Sequence, residues 1–242
     1  MSDKTLALIT GANKSIGFET ARRLGLQGIH VIIGARDTAR GEEAVQKLTA
    51  LGVQATFVPL DVTDEESIAR AAQTLDETFR HLDILINNAG IFGEDMNTPS
   101  ETNLANMRRV YDTNVFGVVA VTKAMLPLLR KSLAGRIVNV SSGLGSMTQA
   151  SERNHPFFPV KNVAYQSSKA AVNAITVGFA KELVQTPIKV NAADPGYTAT
   201  DFNNHQGPRT VEQAATVIVH LATLGEGGPT GTFQDENGNV PW

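Results

Sequence analysis

The chain has 242 residues, 42% of them hydrophobic, and its 21 basic and 24 acidic side chains give a formal net charge of −3. Such a chain can bury a full core as one domain, and its small charge argues against nucleic acid or an anionic membrane as the main partner. With no cysteine there is no disulfide, thiol nucleophile or thiolate zinc site. The five histidines lack metal-ligand spacing. With no signal peptide or membrane-spanning apolar run in view, we expect a cytoplasmic protein without a metal.

Short apolar segments alternate with helical patterns along the chain. The predicted strands are Leu6–Ile9, Ile29–Ile33, Ala55–Leu60, Leu82–Ile86, Arg136–Val140, Lys189–Ala192 and Thr232–Phe233. The predicted helices are Ile16–Leu26, Arg40–Ala50, Glu65–Phe79, Leu104–Lys131, Tyr165–Leu183 and Val211–Leu221. Strands that are apolar throughout are buried on both faces, as parallel strands are. The alternation predicts a single α/β domain, a Rossmann-type doubly wound parallel sheet of about seven strands with helices on both faces.

The first predicted strand leads into a glycine-bearing turn, Gly11-Ala12-Asn13-Lys14-Ser15-Ile16-Gly17, and then into a helix. Unpaired N–H groups and the positive end of the helix dipole make such a turn an anion site. Gly11 permits the tight turn, and Gly17 permits close packing of the helix on the strand. A single strand–turn–helix unit of this kind is common and does not by itself indicate a ligand. At the start of a chain that repeats strand and helix, it predicts a phosphate site.

Tyr165 and Lys169 form a Tyr-x-x-x-Lys pair at the start of a predicted helix. Residues four apart lie on the same helix face, so the ammonium can sit beside the phenol. A free phenol has a pKa of about 10, and a nearby positive charge lowers it. Such a tyrosine can exchange a proton with an alcohol oxygen. The pair is therefore the strongest candidate for a catalytic group in this sequence.

These motifs, in this order and spacing, resemble the short-chain dehydrogenase/reductase family over nearly the whole chain, and the pair Asn13-Lys14 resembles its carbonyl reductase branch. The matching motifs are Thr10-Gly11-x-x-x-Ser15-x-Gly17, Asn87-Asn88-Ala89-Gly90, Asn114, Ser142, Tyr165 with Lys169, and Pro195-Gly196 with Thr200. In the family the first holds the cofactor, the second stabilises the sheet, and the last lies over the nicotinamide.

The resemblance implies a catalytic tetrad of Asn114, Ser142, Tyr165 and Lys169. Tyr165 would be the general acid in reduction and the general base in oxidation, and Ser142 would hold the substrate's carbonyl oxygen. Lys169 would lower the pKa of Tyr165 and hold the nicotinamide ribose, while Asn114 would hold a water that links Lys169 to solvent. The adjacent Ser141 is the rival for the serine role, although its side chain should point the other way along the strand.

The resemblance also implies NADP(H) as the cofactor. Ala35 lies where NAD-binding relatives carry an acid, and the cations Arg36 and Lys14 suit a ribose 2′-phosphate. Asp37 is the counter-argument, unless it caps the next helix. The expected cofactor-binding residues are Gly11, Asn13, Lys14, Ser15, Ile16, Gly17, Arg36, Asp61, Val62, Asn88, Ala89, Gly90, Tyr165, Lys169, Pro195, Gly196, Thr198 and Thr200.

Two of these residues carry an open alternative. Ser15 stands where the family most often has its middle glycine, and a positive φ there would cost a non-glycine residue about 1–2 kcal/mol. Its hydroxyl could itself bond a phosphate oxygen. Asp61 resembles the residue that contacts the adenine amino group, but it could equally cap the helix that follows Thr63.

The segment between Ser142 and Tyr165 is longer than in most of the family, which places an insertion at about 145–164. Its prolines and its Phe157 and Phe158 are poorly suited to a helix or to an exposed loop. It is either a surface insertion folded against the protein or a wall of the substrate pocket. By resemblance, an insertion here goes with a monomer. The expected pocket residues are Leu144, Met147, Phe157, Phe158, Tyr197 and Phe202.

The resemblance therefore implies NADPH-dependent reduction of a ketone or aldehyde to an alcohol, on a small apolar or aromatic substrate. Two alternatives stay open. One is an NAD(P)-dependent alcohol dehydrogenase working in the oxidative direction. The other is a non-catalytic NADP(H)-binding sensor, since a fold does not dictate a function.

Overall fold

The sheet of the computed structural model, which describes residues 4–93 and 98–242, is built from eight strands. They are β1 (Leu6–Thr10), β2 (His30–Ala35), β3 (Ala55–Pro59), β4 (Ile84–Asn87), β5 (Arg136–Val140), β6 (Lys189–Ala193), β7 (Phe233–Asp235) and β8 (Gly238–Asn239). Their order is β3-β2-β1-β4-β5-β6-β7-β8. All neighbours are parallel except β7 and β8, which form an antiparallel hairpin.

The predicted fold class is confirmed, and the number of strands is one higher than expected. The additional strand, β8, has only two residues, Gly238 and Asn239. So short a segment carries no period of hydrophobicity that a sequence could display. Elsewhere, the predicted and observed strand ends differ by one or two residues, which is within the usual scatter of strand assignments.

Helices cover both faces of the sheet, because successive strand residues point to opposite sides. Ala7 and Ile9 of β1 belong to one apolar core, and Leu6 and Leu8 belong to the other. The helices are α1 (Ser15–Leu26), α2 (Thr38–Ala50), α3 (Glu65–Phe79), α4 (Leu104–Tyr111), α5 (Gly117–Leu129), α6 (Met147–Ser151), α7 (Val163–Glu182) and α8 (Val211–Ala222). The first core takes side chains from α1, α2 and α8, and the second takes them from α3, α5 and α7.

The predicted helix Leu104–Lys131 is interrupted between α4 and α5 by a π-helical segment, Asp112–Phe116. Segments of this kind often lie at functional sites, because the extra residue re-aims the side chains around it. Asn114, one of the predicted catalytic residues, lies in the middle of the segment.

Within the part of the chain that the structure describes, the run Leu104–Leu129 is long and apolar enough to cross a membrane by length and composition. Half of its most apolar 18-residue window is buried inside the protein. Val121 and Met125 from this run lie in the core beneath the sheet. We interpret it as a core helix of the fold.

Candidate active site

The turn after β1 packs tightly against the residues that follow β4. Gly11 has a φ of +65°, and a Cβ at this position would lie 3.0 Å from the Cα of Ala89. A Cβ on Gly17 would lie 2.5 Å from Nδ2 of Asn88. Neither position can hold a side chain without moving its neighbours. Glycine is therefore required at both positions because the backbone of the turn lies so close to Asn88 and Ala89. The sequence predicted close packing at Gly17.

Asn88 joins the turn to the rest of the sheet by hydrogen bonds. Its Nδ2 donates to the carbonyl of Thr10 at 2.8 Å and to that of Gly11 at 3.3 Å. In return, Oγ1 of Thr10 accepts from the backbone N–H groups of Asn88 and Ala89, each at 3.0 Å. The turn is thus fixed before any ligand arrives, which is the condition for a preformed anion site.

Ser15 begins α1 with a φ of 51°, inside the left-handed region that favours glycine. A serine in this conformation costs about 1–2 kcal/mol relative to one in an ordinary helical conformation. The strain anticipated from the sequence is therefore present at this position. It lies at the start of the helix whose N-terminus faces the predicted phosphate site.

Lys14, one of the two residues proposed for the ribose phosphate, lines a cavity of about 390 Å³ beside the turn, whereas Arg36 is not part of its lining. The lining residues are Asn13, Lys14, Arg40, Glu43, Lys47 and Asp201. Arg40 and Lys47 come from α2 and were not predicted. Each of the three cations is paired with a carboxylate in this structure, and such exposed pairs are weak enough for an anion to compete with them. Together with the glycine turn, the cations fit a phosphate-bearing dinucleotide.

Asp37 is the N-cap of α2, where its Oδ1 accepts from the backbone N–H of Arg40 at 3.0 Å. Its Oδ2 also lies 3.5 Å from Nε of Arg40. The capping role, which the sequence left open, accounts for this carboxylate. Arg36, its neighbour, is exposed at the end of β2.

The capping alternative for Asp61 is wrong, because the N-cap of α3 is Asp64. Oδ1 of Asp61 instead accepts from the backbone N–H and the hydroxyl of Thr63, at 2.9 and 2.7 Å. Val62 packs against the first turn of α5, where a Cβ on Gly117 would lie 2.9 Å from its carbonyl oxygen. The adenine contact of Asp61 stays a prediction.

The loop after β6 carries the remaining predicted cofactor residues. Gly196 has a φ of +73°, and its N–H donates to Oδ1 of Asp194 at 2.9 Å. The hydroxyl of Thr198 donates to the carbonyl of Gly196 at 3.1 Å. Pro195, Thr198 and Thr200 are buried. The loop is therefore folded back on itself near the carboxyl end of β6, where ligands bind in folds of this class.

Asn114 is buried, and its side-chain amide bonds the backbone after β4. Its Oδ1 accepts from the N–H of Ile91 at 2.8 Å, and its Nδ2 donates to the carbonyl of Ile91 at 2.9 Å. Nδ2 also donates to Oγ of Ser168 at 3.1 Å. A Cβ on Gly90 would lie 3.4 Å from Oδ1 of Asn114 and 3.6 Å from Nζ of Lys169. Asn114 and Lys169 thus flank Gly90, while the proposed water link between them stays a prediction.

Ser142, not Ser141, faces Tyr165 at the end of β5. Burial raises the pKa of Tyr165 and the Ser142 side chain lowers it, while Oγ of Ser142 accepts from the N–H of Leu144 at 3.3 Å. Ser141 is buried on the opposite side, where its hydroxyl donates to Oδ1 of Asn173 at 2.6 Å. The arrangement therefore favours Ser142 over its rival, because the Ser141 hydroxyl is bonded away from the phenol.

Lys169 is buried, and its Nζ donates to the carbonyl of Val140 at 2.7 Å. The same nitrogen lies 5.6 Å from the centre of the Tyr165 ring. Burial lowers the pKa of Lys169 to about 8, and the nearby Asp194 carboxylate opposes that shift. The predicted closeness of ammonium and phenol is present, although the ammonium bonds a backbone carbonyl.

The net effect of the surroundings on the pKa of Tyr165 is opposite to the predicted fall, and the contribution of Lys169 stays a prediction. Burial is the largest effect and raises the pKa of Tyr165, while Ser142 lowers it and the charge of Asp194 raises it further. A phenol taken out of water favours its neutral form, since the phenolate loses hydration. The surroundings of Tyr165 therefore favour the neutral phenol.

Two phenylalanines pack against the ring of Tyr165. The ring centres of Phe92 and Phe202 lie 4.9 and 5.7 Å from that of Tyr165, and 5.8 Å from each other. Phe202 was expected at the pocket, but Phe92 was not, because a single phenylalanine after Asn-Asn-Ala-Gly-Ile has no signal in a lone sequence.

The other expected pocket residues fall into two groups. Phe157 lies against the Ser142 turn, where a Cβ on Gly143 would lie 2.5 Å from its ring, and Leu144 is half-buried. Met147, Phe158 and Tyr197 are 60%, 48% and 54% exposed. The structure thus places the first group beside Ser142 and the second group at the surface.

Comparison with known proteins agrees with this arrangement. The family model described as short chain dehydrogenase matches residues 5–210. The chain belongs to the short-chain dehydrogenase family. A short-chain dehydrogenase from Penicillium roqueforti is 40% identical, over 97% of this chain and 95% of that protein. (−)-Isopiperitenone reductase from Mentha piperita is 34% identical, over 94% of this chain and 95% of its own.

Solved structures of the family superpose over nearly the whole molecule. NADPH-bound carbonyl reductase from chicken fatty liver has a TM-score of 0.86 at 30% identity, and the match covers 99% of both chains. Salutaridine reductase from Papaver somniferum has a TM-score of 0.84 at 30% identity, over 95% of this chain and 99% of that one. The sheet and its helices are therefore those of a short-chain dehydrogenase, an oxidoreductase fold.

Proposed function

We propose that this short-chain dehydrogenase is an NADPH-dependent carbonyl reductase that converts a ketone or aldehyde to an alcohol. The observation that carries the proposal is the meeting of Tyr165 with the buried Lys169, whose Nζ lies 5.6 Å from the centre of the Tyr165 ring, beside Ser142 at the end of β5. The names of the reductases similar to this chain support the reaction class, and the NADPH in one of them supports the cofactor.

Tyr165 is the proton donor in this proposal. Because burial raises its pKa, the phenol is neutral at the start of the reaction and holds the proton that the new alcohol needs. Ser142 donates a hydrogen bond to the carbonyl oxygen, which keeps that oxygen within reach of the phenol. NADPH, when bound, supplies the hydride. Loss of the proton leaves a phenolate, and the ammonium of Lys169 lies close enough to stabilise it.

The preference for NADPH over NADH follows from the charges around the cavity beside the turn. Lys14, Arg40 and Lys47 line it, and Arg36 is exposed nearby. The carboxylate that would otherwise argue for NADH, Asp37, caps α2. Guanidinium and ammonium groups bond a phosphate dianion strongly, whereas a ribose hydroxyl gains little from them.

The substrate is proposed to be small and apolar or aromatic. Phe92 and Phe202 lie against Tyr165, and Phe157 lies beside the Ser142 turn. Aromatic side chains around a proton donor favour a planar or apolar carbonyl compound, since aromatic rings prefer offset-stacked or edge-to-face contacts. The proposal includes a cytoplasmic protein that acts as a monomer.

The experiment that tests the proposal is consumption of NADPH with a panel of ketones, aldehydes and quinones. Wild type is expected to oxidise NADPH only when a carbonyl compound is present, and Tyr165→Phe is expected not to. Turnover seen only with alcohols and NADP⁺ would favour the oxidative alternative. Tight binding of NADPH without turnover of any panel member in either direction would favour the sensor.

A further inference from the structure

Asp194 is a carboxylate at the centre of the site that the tetrad does not include. It follows β6 directly, and its backbone N–H donates to the carbonyl of Gln234 at 2.7 Å. The side chain points back toward the end of β5, so that it lies between the Ser142 turn and the loop after β6. It therefore contacts both segments that shape the reacting position.

The carboxylate lies against both segments. The N–H of Gly196 donates to Oδ1 at 2.9 Å. On the other side, a Cβ on Gly143 would lie 2.8 Å from Oδ2 of Asp194 and 2.5 Å from the ring of Phe157. The close approach of the carboxylate and of this ring together requires a glycine next to Ser142.

The charge of Asp194 acts on the proton-transfer groups of α7. It favours the ammonium of Lys169 and disfavours the phenolate of Tyr165. Burial is the largest effect on Asp194 and raises its pKa; among the other charged groups, Asp235 of β7 raises that pKa and Arg209 lowers it. Arg209 is itself paired with Glu236. No residue of this outer group bonds Gly143 or Gly196 in the described part of the chain.

We propose that Asp194 is a positioning residue of the proton-transfer site: it ties the Ser142 turn to the Gly196 loop and supplies the negative charge that faces Lys169. The role of Asp194 in proton transfer rests on the proposed function. Its effect on the charge of Lys169 can be measured without any turnover. The carboxylate raises the pKa of Lys169, against the larger lowering effect of burial.

A titration of Lys169 by NMR, with lysine labelled at Cε, tests the charge without any substrate. The wild-type signal, assigned with Lys169→Met, is expected to titrate at about 8. In Asp194→Asn, which keeps the shape and removes the charge, the midpoint should fall by about one pH unit, a tenfold change in the ionisation constant. Asp235→Asn is the matched control, because it removes a nearby carboxylate that bonds neither loop, and its midpoint should change far less.

The pH profile of kcat then tests the consequence for proton transfer. Asp194→Asn should shift the profile toward lower pH and leave KM for NADPH within a few-fold, whereas a merely structural role would lower kcat equally at all pH values. Asp194→Ser, whose hydroxyl can still accept from Gly196, gives the same comparison if the amide variant does not fold. A Lys169 midpoint that stays at its wild-type value in folded variants overturns the inference. If wild type turns over no carbonyl, the proposed function fails while the NMR result still decides the role of Asp194.

Discussion

Lys14 and Asp201 form an ion pair, with Nζ of the lysine 2.9 Å from Oδ2 of the aspartate. The pair joins the turn after β1 to the loop after β6, across the opening of the charged cavity. Both side chains are about half exposed, and pairs of that kind are weak and easily exchanged. Because Lys14 is also proposed to bind the 2′-phosphate, the cofactor and Asp201 compete for the same ammonium.

Removing the cations should therefore weaken NADPH far more than NADH. Arg36→Ala, alone or with Lys14→Ala, is expected to cost on the order of 1.5–3 kcal/mol of NADPH binding, through the loss of charge-assisted bonds to the 2′-phosphate. Titration of both cofactors by fluorescence or calorimetry measures the difference. Affinity for NADH should change little.

The matched control for this pair of variants is Lys123→Ala, which removes an exposed cation of α5. Asp201→Asn is the complementary change, and it should tighten NADPH binding a few-fold by freeing Lys14. A wild-type preference for NADH, or equal losses of both cofactors in Arg36→Ala, would contradict the assignment of the phosphate site.

Tyr165→Phe should remove the proton donor and leave the cofactor site in place. General acid–base catalysis typically contributes about 10²–10⁴-fold, so kcat is expected to fall by that factor. NADPH affinity should stay within a few-fold, since the hydroxyl contributes little to cofactor binding. Stopped-flow measurement of a single turnover isolates the chemical step. A variant with wild-type kcat on a good substrate would show that another group is the acid.

Ser15→Gly should stabilise the protein, because it relieves the positive φ at the start of α1. The strain is worth about 1–2 kcal/mol, and the greater freedom of glycine in the unfolded chain offsets about 0.5–1 kcal/mol of it. A net gain of about 0.5–1 kcal/mol raises Tm by about 1–4 °C for a chain of this size. Differential scanning calorimetry measures the shift. Ser15→Ala, which keeps a Cβ in the strained conformation, is the control and should show no gain.

Phe157→Ala should change substrate selectivity, because this ring lies against Gly143 beside Ser142. The ratio of kcat/KM between a bulky aromatic ketone and a small aliphatic one is expected to shift by about 10-fold, the scale of a small change in an apolar pocket. Phe158, which is 48% exposed, contributes less, so Phe158→Ala serves as the comparison. Unchanged ratios in the double variant would remove this segment from the pocket.

The protein is expected to behave as a monomer in solution. The expectation rests on the segment 145–164, which leads directly into α7 and which, by the family resemblance, goes with a monomer. Light scattering coupled to size-exclusion chromatography should give the mass of a single chain at micromolar concentration. A stable dimer or tetramer would contradict this expectation, and it would direct attention to the exposed Phe116, whose side chain is 62% exposed.

The parts of the fold that the sequence predicted are those with a regular pattern. The bounds of α3 agree with the prediction, because Asp64 precedes a strong apolar period and Arg80 ends it in a left-handed conformation. The π-helical segment around Asn114 was missed, since one extra residue in an apolar helix leaves the composition unchanged. Hairpin strand β8 was missed because it is only two residues long.

At the site, residue types were predictable and their partners were not. A lone sequence contains no information on which carbonyl an ammonium will reach, so the bond from Lys169 to Val140 was not foreseen. Burial of Tyr165 reversed the expected direction of its pKa for the same reason, because solvation is a property of the folded surroundings. Asp194 directly precedes Pro195-Gly196 and reads as an ordinary turn residue. Only the folded chain brings it to Gly143.

The hydrogen bonds from Asn88 to Thr10 and Gly11 determine when the site can form as the chain is synthesised. The turn leaves the ribosome early, but Thr10 and Asn88 are 78 positions apart in the chain. Until the later segment arrives, the turn has no partner to hold its carbonyls. Tyr165, Lys169 and Asp194 follow later still. A nascent or truncated chain that stops before Asn88 would therefore lack the bonds that hold the turn, and one that stops before Tyr165 would also lack the proposed proton donor.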